Sequence, residues 1–263
     1  MTRSELVRAL SAHLLAERPA LRPWAAEFEA KEGPRRLLRA LMNLRPPAPL
    51  DPALLALQDR LLSAEREERG VVDGMTLPTV RSDPQLAIWQ GDITRLRADA
   101  VVNAANSALL GCFHPCHGCI DNAIHSAAGL QLRDACARLM AAQGHPEPNG
   151  RAKLTKGYNL PARYVLHTVG PVVSGRVTDR DRRELASCYR SCLTLAAERG
   201  LESVAFCCIS TGEFHFPNRE AAEIAVQTVR KWLDQRGTSI ERVIFNVFKD
   251  GDAVLYRQLL GRP

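Results

Sequence analysis

Between Cys112 and Cys119, five side chains that ligate soft or borderline metal ions fall within eight residues: Cys112, His114, Cys116, His117 and Cys119. One loop of this kind can wrap a single ion, because thiolate and imidazole both suit zinc at about 2.0 to 2.3 Å. Three protein ligands would leave a position for water or substrate, which is the logic of a catalytic zinc. Four would close the shell into a structural site, and His114 or Cys116 could supply the fourth ligand. Cys116-His117-Gly118-Cys119 is also formally a C-x-x-C, but no thioredoxin-like pattern surrounds it. All eight cysteines lie after residue 111, and Cys207 and Cys208 sit inside an apolar run. Thiols and metal, rather than a disulfide framework, are the expected use.

The elements around this loop must bring it to a site. It follows "VVNAAN", a strand closed by two asparagines, and runs into a helix carrying Asp121, Ile124, His125 and Ala128 on one face. A second strand, in "CCISTGEFHFPNREAAEIAV", breaks into a Ser-Thr-Gly turn and restarts as a helix at Pro217. Backbone N–H groups in such a turn, with a helix dipole behind them, suit a pyrophosphate, although ordinary turn chemistry accounts for the same residues. Further strands are expected in "QLAIWQGDIT", "YVLHTVGP" and "ERVIFNVF", and further helices from about Asp179 and Asp250. Strands alternating with helices call for a mostly parallel sheet covered on both faces, with ligands at the strand ends.

Residues 1–80 read differently, as short helices. Leu6, Leu10 and Leu14 share a face, "PRRLLRALMNL" repeats the pattern, and Asp51 caps a helix with Pro52 at its first position. The segment "VVDGMTLPTVRSDP" reads as a connecting loop into a second region, residues 84–263.

Bulk properties narrow the class. The chain has 263 residues, 46% hydrophobic, and a formal net charge of +6, so it can bury a substantial core. Residues 1–80 hold 12 Lys/Arg against 11 Asp/Glu and the remainder 23 against 18, a scattered excess that fits an anionic ligand in the second region and equally a plain basic surface. Aromatic content of 5%, with no basic-aromatic stripe, speaks against a nucleic-acid binder. No apolar run approaches the roughly 18 to 20 residues of a membrane span and no leader is visible, so a cytoplasmic protein is expected.

Taken in order, "GDIT", "VVNAAN", "IDNAIHSAAG", "TKGYNLPARYVLHTVGP" and "ISTGEFHFP" closely resemble the macrodomain family, which binds ADP-ribose. The family commonly has a glycine-rich link after its asparagine motif; "GCFHPCHGC" departs from this and resembles the zinc-dependent branch, microbial and linked with sirtuin-type ADP-ribosyltransferases and lipoyl-carrier proteins. That branch is similar in having a helical N-terminal extension. The resemblance implies a three-layer α/β/α fold with a mostly parallel mixed sheet.

It also implies roles. Cys112, His117 and Cys119 would hold one zinc per chain beside the distal ribose. Asp92 would accept the adenine amino group with the Ile93 backbone nearby, and Phe248 would lie against adenine, although Asp92 also reads as a cap and Phe248 as core. Ser210, Thr211, Gly212, Phe214 and Phe216 would belong to the loop around the diphosphate, in which Glu213 and His215 depart from the commoner pattern. Asn106 would bond the distal ribose, and Asp121 would orient or activate water, or position substrate if zinc takes over that work. Asn103 is expected to brace the loop and His125 to be a satisfied helix histidine. The implied activity is zinc-dependent hydrolysis of mono-ADP-ribose from a modified protein, through a carboxylate ester; the alternative is a non-catalytic ADP-ribose-binding module with a structural zinc.

Overall fold

The structure, a computed structural model, describes residues 1–234 and 237–261; the last two residues of the second region, 262 and 263, lie outside these. Four helices come first: α1 (Arg3–Glu17), α2 (Arg22–Glu32), α3 (Pro34–Leu44) and α4 (Pro52–Arg69). Local chemistry sets their ends. Thr2 and Glu5 form a reciprocal capping box on α1, and Asp51 accepts from Ala53 N with Pro52 in the first turn of α4. Gly33, at φ 83°, turns the chain between α2 and α3 in a conformation that favours glycine. Leu6, Leu10 and Leu14 bury against Leu37, Leu38, Leu41, Leu54 and Leu61, so the face expected on α1 is a core face. Leu130, from the second region, joins the same cluster.

The strands are β1 (Val72–Asp73), β2 (Thr79–Val80), β3 (Asp83–Gln90), β4 (Leu96–Arg97), β5 (Ala100–Ala104), β6 (Ala152–Lys156), β7 (Tyr164–Thr168), β8 (Ser203–Phe206) and β9 (Arg242–Val247). Seven of them form one sheet in the order β2-β3-β9-β8-β5-β7-β6, and β1 pairs with β4 apart from it. The five central strands run parallel, while β2 and β6 close the edges antiparallel. The helices flanking the sheet are α5 (Ile120–Ala128), α6 (Leu130–Gln143), α7 (Asp179–Glu198), α8 (Asn218–Leu233) and α9 (Asp250–Leu260). Every residue of β8 is buried, as are all but the first of β9 and all but the last of β5, which is the near-continuous apolar grammar of strands covered on both faces. This is the mixed, mostly parallel α/β architecture expected.

The segment expected as a connecting loop differs: it contains β1, a 3-10 turn at Gly74–Thr76 and β2. Two-residue strands carry too little periodicity to stand out. The edge strand β6, "AKLTK", was likewise not foreseen, because only Thr155 in it is fully buried. No helix among the described residues is long and apolar enough to cross a membrane.

Candidate active site

A cleft of about 750 Å³ opens at the C-terminal ends of the parallel strands, where strand-to-helix turns present unpaired backbone groups. Four strand ends build it. In sheet order, β3 delivers Asp92 and Ile93, β9 delivers Phe248, β8 delivers the loop from Ser210 to Phe214, and β5 delivers Asn106 and the cysteine loop. From β3 to β5 is three strand spacings, roughly 14 Å at ~4.8 Å each, so the two ends of the cleft are chemically separate.

At the β3 end, Asp92 Oδ1 accepts from Thr94 N at 2.9 Å and Thr94 Oγ1 at 2.7 Å, while Oδ2 lies 3.4 Å from Arg69 Nη1. The cap reading is therefore realised on one oxygen, and the other, paired with Arg69, lines the cleft. Asn246, in β9, donates to the carbonyls of Trp89 and Gly91 and so fixes the turn that carries Asp92; nothing in the sequence motifs singled it out. Phe248 is 74% exposed and lines the cleft, which rules out the core alternative.

The β8 loop turns sharply, with Ser210 and His215 at positive φ (64° and 56°), a conformation uncommon outside glycine. Thr211 N bonds Cys208 O, His215 N bonds Gly212 O and Phe216 N bonds Ser210 O. The N–H groups of Gly212, Glu213 and Phe214 have no backbone partner among the described residues. Phe216 corrects an expectation: its ring is 1% exposed and belongs to the core, because its N–H closes the turn and directs the side chain inward.

At the β5 end, the ligand atoms of Cys112, His117 and Cys119 all lie within 4.8 Å of one another. Cys112 Sγ stands 3.6 Å from His117 Nδ1. Two ligands at the Zn–S and Zn–N lengths of about 2.3 and 2.1 Å, set at the tetrahedral angle, would be separated by about 3.6 Å, so this pair already has the spacing of a shared ion. Cys119 also caps α5, its Sγ accepting from Asn122 N at 3.4 Å, and burial pushes its thiol up to about 12, a cost that a bound cation would offset. Cys116 stands outside the group, with its thiol turned to the Arg36 carbonyl at 3.3 Å.

Beneath the loop, Asn103 Nδ2 donates to Asp121 Oδ1 at 2.8 Å and also meets His167 Nδ1 at 3.2 Å. Asn103 thus orients the helix carboxylate rather than bracing the loop. Asn106 Nδ2 contacts Gly111 O at 3.3 Å and Asp121 Oδ2 at 3.5 Å. Burial raises the Asp121 carboxyl to about 6, against the opposing pull of Asn103 and Arg133. His125 also departs from expectation: both ring nitrogens are buried without a hydrogen-bond partner, and Nε2 lies 3.5 Å from Asp121 Oδ1. Desolvation holds its pKa well below the usual range, so it stays neutral.

Further residues that motif reading missed come from the helical region and from α6. Arg39 of α3 lines the cleft, donates from Nε and Nη2 to Asn122 Oδ1 at 3.1 and 2.7 Å, and reaches His117 O at 3.3 Å. Asn43 accepts from Cys116 N at 2.9 Å and donates to Ser126 Oγ at 3.0 Å. Arg133, buried in α6, donates to the carbonyls of Met42, Asn43 and Arg45 at the end of α3. The first helices are therefore the socket of the cysteine loop.

Comparison with known proteins agrees with this architecture. The Macro domain family matches residues 102–225. A protein-ADP-ribose hydrolase from Treponema medium is 48% identical over 262 residues, covering 99% of this chain and all of the relative. Another of that name from Staphylococcus aureus is 48% identical over 227 residues, covering 86% of this chain and 84% of its own length. Among solved structures, the Trypanosoma brucei macrodomain in complex with ADP-ribose superposes with a TM-score of 0.67 at 36% identity, over 84% of this chain and 95% of that one.

Proposed function

The chain belongs to the macrodomain family, and from that premise we propose that it is a zinc-dependent hydrolase that removes mono-ADP-ribose from modified protein side chains. Removal of ADP-ribose is supported by the hydrolase name shared by relatives at 48% identity. The observation that carries the finer reading is the cluster of Cys112, His117 and Cys119 on the wall of the cleft that Asn106 and Asp121 also line. Three ligands would leave a fourth position for water or substrate.

In this reading the nucleotide lies along the strand ends. Adenine packs on the exposed Phe248 ring with Asp92 Oδ2 as acceptor for its amino group, and the free N–H groups of Gly212, Glu213 and Phe214 take the diphosphate. That places the distal ribose at the β5 end. Asn106 bonds the ribose, while Asp121, fixed by Asn103, orients the groups that react there. A zinc held by the three ligands supplies a Lewis acid that stabilises negative charge developing at the scissile linkage. Binding energy gathered along the nucleotide then fixes the linkage against the catalytic groups. We take the linkage to be a carboxylate ester and a lipoyl-carrier protein to be a first substrate to try.

Metal analysis of the purified chain, paired with a release assay on mono-ADP-ribosylated protein, tests this. About one zinc per chain is expected, with loss of both metal and release in Cys119→Ala. Binding of ADP-ribose without any release would make the protein a reader, and release by zinc-free protein would remove the metal from the reaction.

A further inference from the structure

Glu213 sits in the β8 loop, where a carboxylate beside a diphosphate would be unfavourable, yet its side chain faces the cysteine loop instead. Its Oε1 lies 3.5 Å from His117 Nε2. The other ring nitrogen of the same histidine, Nδ1, is the one that stands 3.6 Å from Cys112 Sγ. The two nitrogens of an imidazole point in divergent directions, so a ring that gives Nδ1 to a metal presents Nε2–H away from it, and Glu213 is the acceptor on that side. The ring is also constrained elsewhere: His114 meets it edge-on at 5.3 Å and 80°, and Arg39 holds its backbone carbonyl.

We infer that Glu213 is a positioning residue for the metal centre: its carboxylate accepts Nε2–H of His117, selects Nδ1 as the metal-binding nitrogen, and joins the anion loop of β8 to the metal loop across the cleft. The inference rests on the zinc reading above. Carboxylate, imidazole and metal in series is a recurrent arrangement, because the outer acceptor fixes the tautomer and ring orientation and raises the basicity of the ligand. At 3.5 Å the contact is an ion-pair distance, and closing by about half an ångström makes it a hydrogen bond. The same geometry accounts for a carboxylate in an anion-binding loop: the charge is directed at a histidine on the opposite wall, and the backbone N–H groups of the turn are left for the phosphates.

The test uses the full chain, stripped of metal and titrated with zinc against a competing chelator, as wild type, Glu213→Gln and Glu213→Ala. Outer acceptors of this kind are typically worth about 10 to 100-fold in metal affinity; Glu213→Ala is expected to lose about tenfold or more. Glu213→Gln, whose amide oxygen still accepts from Nε2–H, should recover part of that loss. Nitrogen-15 NMR of the zinc-loaded, histidine-labelled wild type should show His117 protonated at Nε2 and metal-bound at Nδ1. The melting temperatures of metal-free Glu213→Ala and metal-free wild type should agree, which separates loss of the acceptor from loss of the fold. Zinc held as tightly by Glu213→Ala as by wild type, metal on Nε2, or a metal-free Glu213→Ala that melts well below wild type, marking a collapsed loop, would each overturn the assignment while leaving the hydrolase reading intact. A wild type that takes up no zinc at all would overturn both.

Discussion

Asp121 carries the sharpest conflict in the molecule between stability and use. Its carboxyl is buried at the mouth of α5 with one strong donor, Asn103, and a neutral histidine, His125, near the same oxygen. Its rise from the ordinary 3.8 to about 6 corresponds to about 3 kcal/mol against the ionised form at neutral pH. The sign follows from proton linkage: with the folded pKa raised, the penalty is absent below about pH 4 and complete above about pH 6, so stability falls as pH rises through that window. Zinc-stripped Asp121→Asn should therefore match wild type in urea unfolding at pH 4 and exceed it by up to about 3 kcal/mol at pH 7.5, while releasing ADP-ribose more slowly. Equal stability at both pH values would show that the carboxylate carries no such burden. Asp92 offers a complementary test, since its two oxygens do different work. Asp92→Asn can keep the Thr94 cap through its amide oxygen but turns a donor toward the adenine amino group. ADP-ribose affinity should fall by roughly 1.5 to 3 kcal/mol in calorimetry, with the melting temperature little changed; a dissociation constant equal to that of wild type would take Asp92 out of the site.

Helix α3 is where the helical region enters the chemistry. Arg39 spans from α3 to both the cysteine loop and α5, and Asn43 holds Cys116 N in a turn where Cys116 adopts φ 53°. Losing the Arg39 contacts should loosen the loop around its ion: Arg39→Ala is expected to weaken zinc binding about tenfold, within the range for outer partners, with the melting temperature of the chelated protein falling far less. Arg39→Lys should fail to rescue it, because an ammonium cannot reproduce a planar fork reaching two acceptors. Zinc affinity unchanged in Arg39→Ala would reduce α3 to packing. None of this was readable in the chain. The five parallel strands and the clustering of Cys112, His117 and Cys119 were, because β5, β8 and β9 are dense in Val, Ile and Phe and because three such side chains within eight residues of one loop are bound to lie close together. Arg39 and Asn43 look like any polar residues on an amphipathic helix; what they touch lies 73 to 83 positions away, and no local pattern encodes a docking register. The same holds for Glu213, whose type is visible and whose direction is not, and for Phe216, whose inward ring follows from a turn hydrogen bond.

Across the whole molecule, sheet order separates binding from reaction in the proposed reading. The residues proposed for adenine and diphosphate lie at the ends of β3, β9 and β8, and the proposed metal ligands follow β5, at the far end of the cleft. Affinity for ADP, which lacks the distal ribose, should therefore survive removal of the metal. Turnover should not, because losing a Lewis acid takes several kcal/mol from transition-state stabilisation, and each ~1.4 kcal/mol is tenfold in rate. Chelated protein should bind ADP within about twofold of the loaded form by calorimetry, a difference of ~0.4 kcal/mol, while release of ADP-ribose from modified protein disappears and returns on adding zinc. His117→Ala should behave as the chelated protein does, whereas Cys116→Ala, whose thiol bonds the Arg36 carbonyl, should keep most of its activity. The alternative is specific: if the chelated protein stays folded, binds ADP and still releases ADP-ribose at the full rate, the three ligands serve only to shape the loop, and buried Asp121 with the half-buried Asn106 must carry the reaction without a metal.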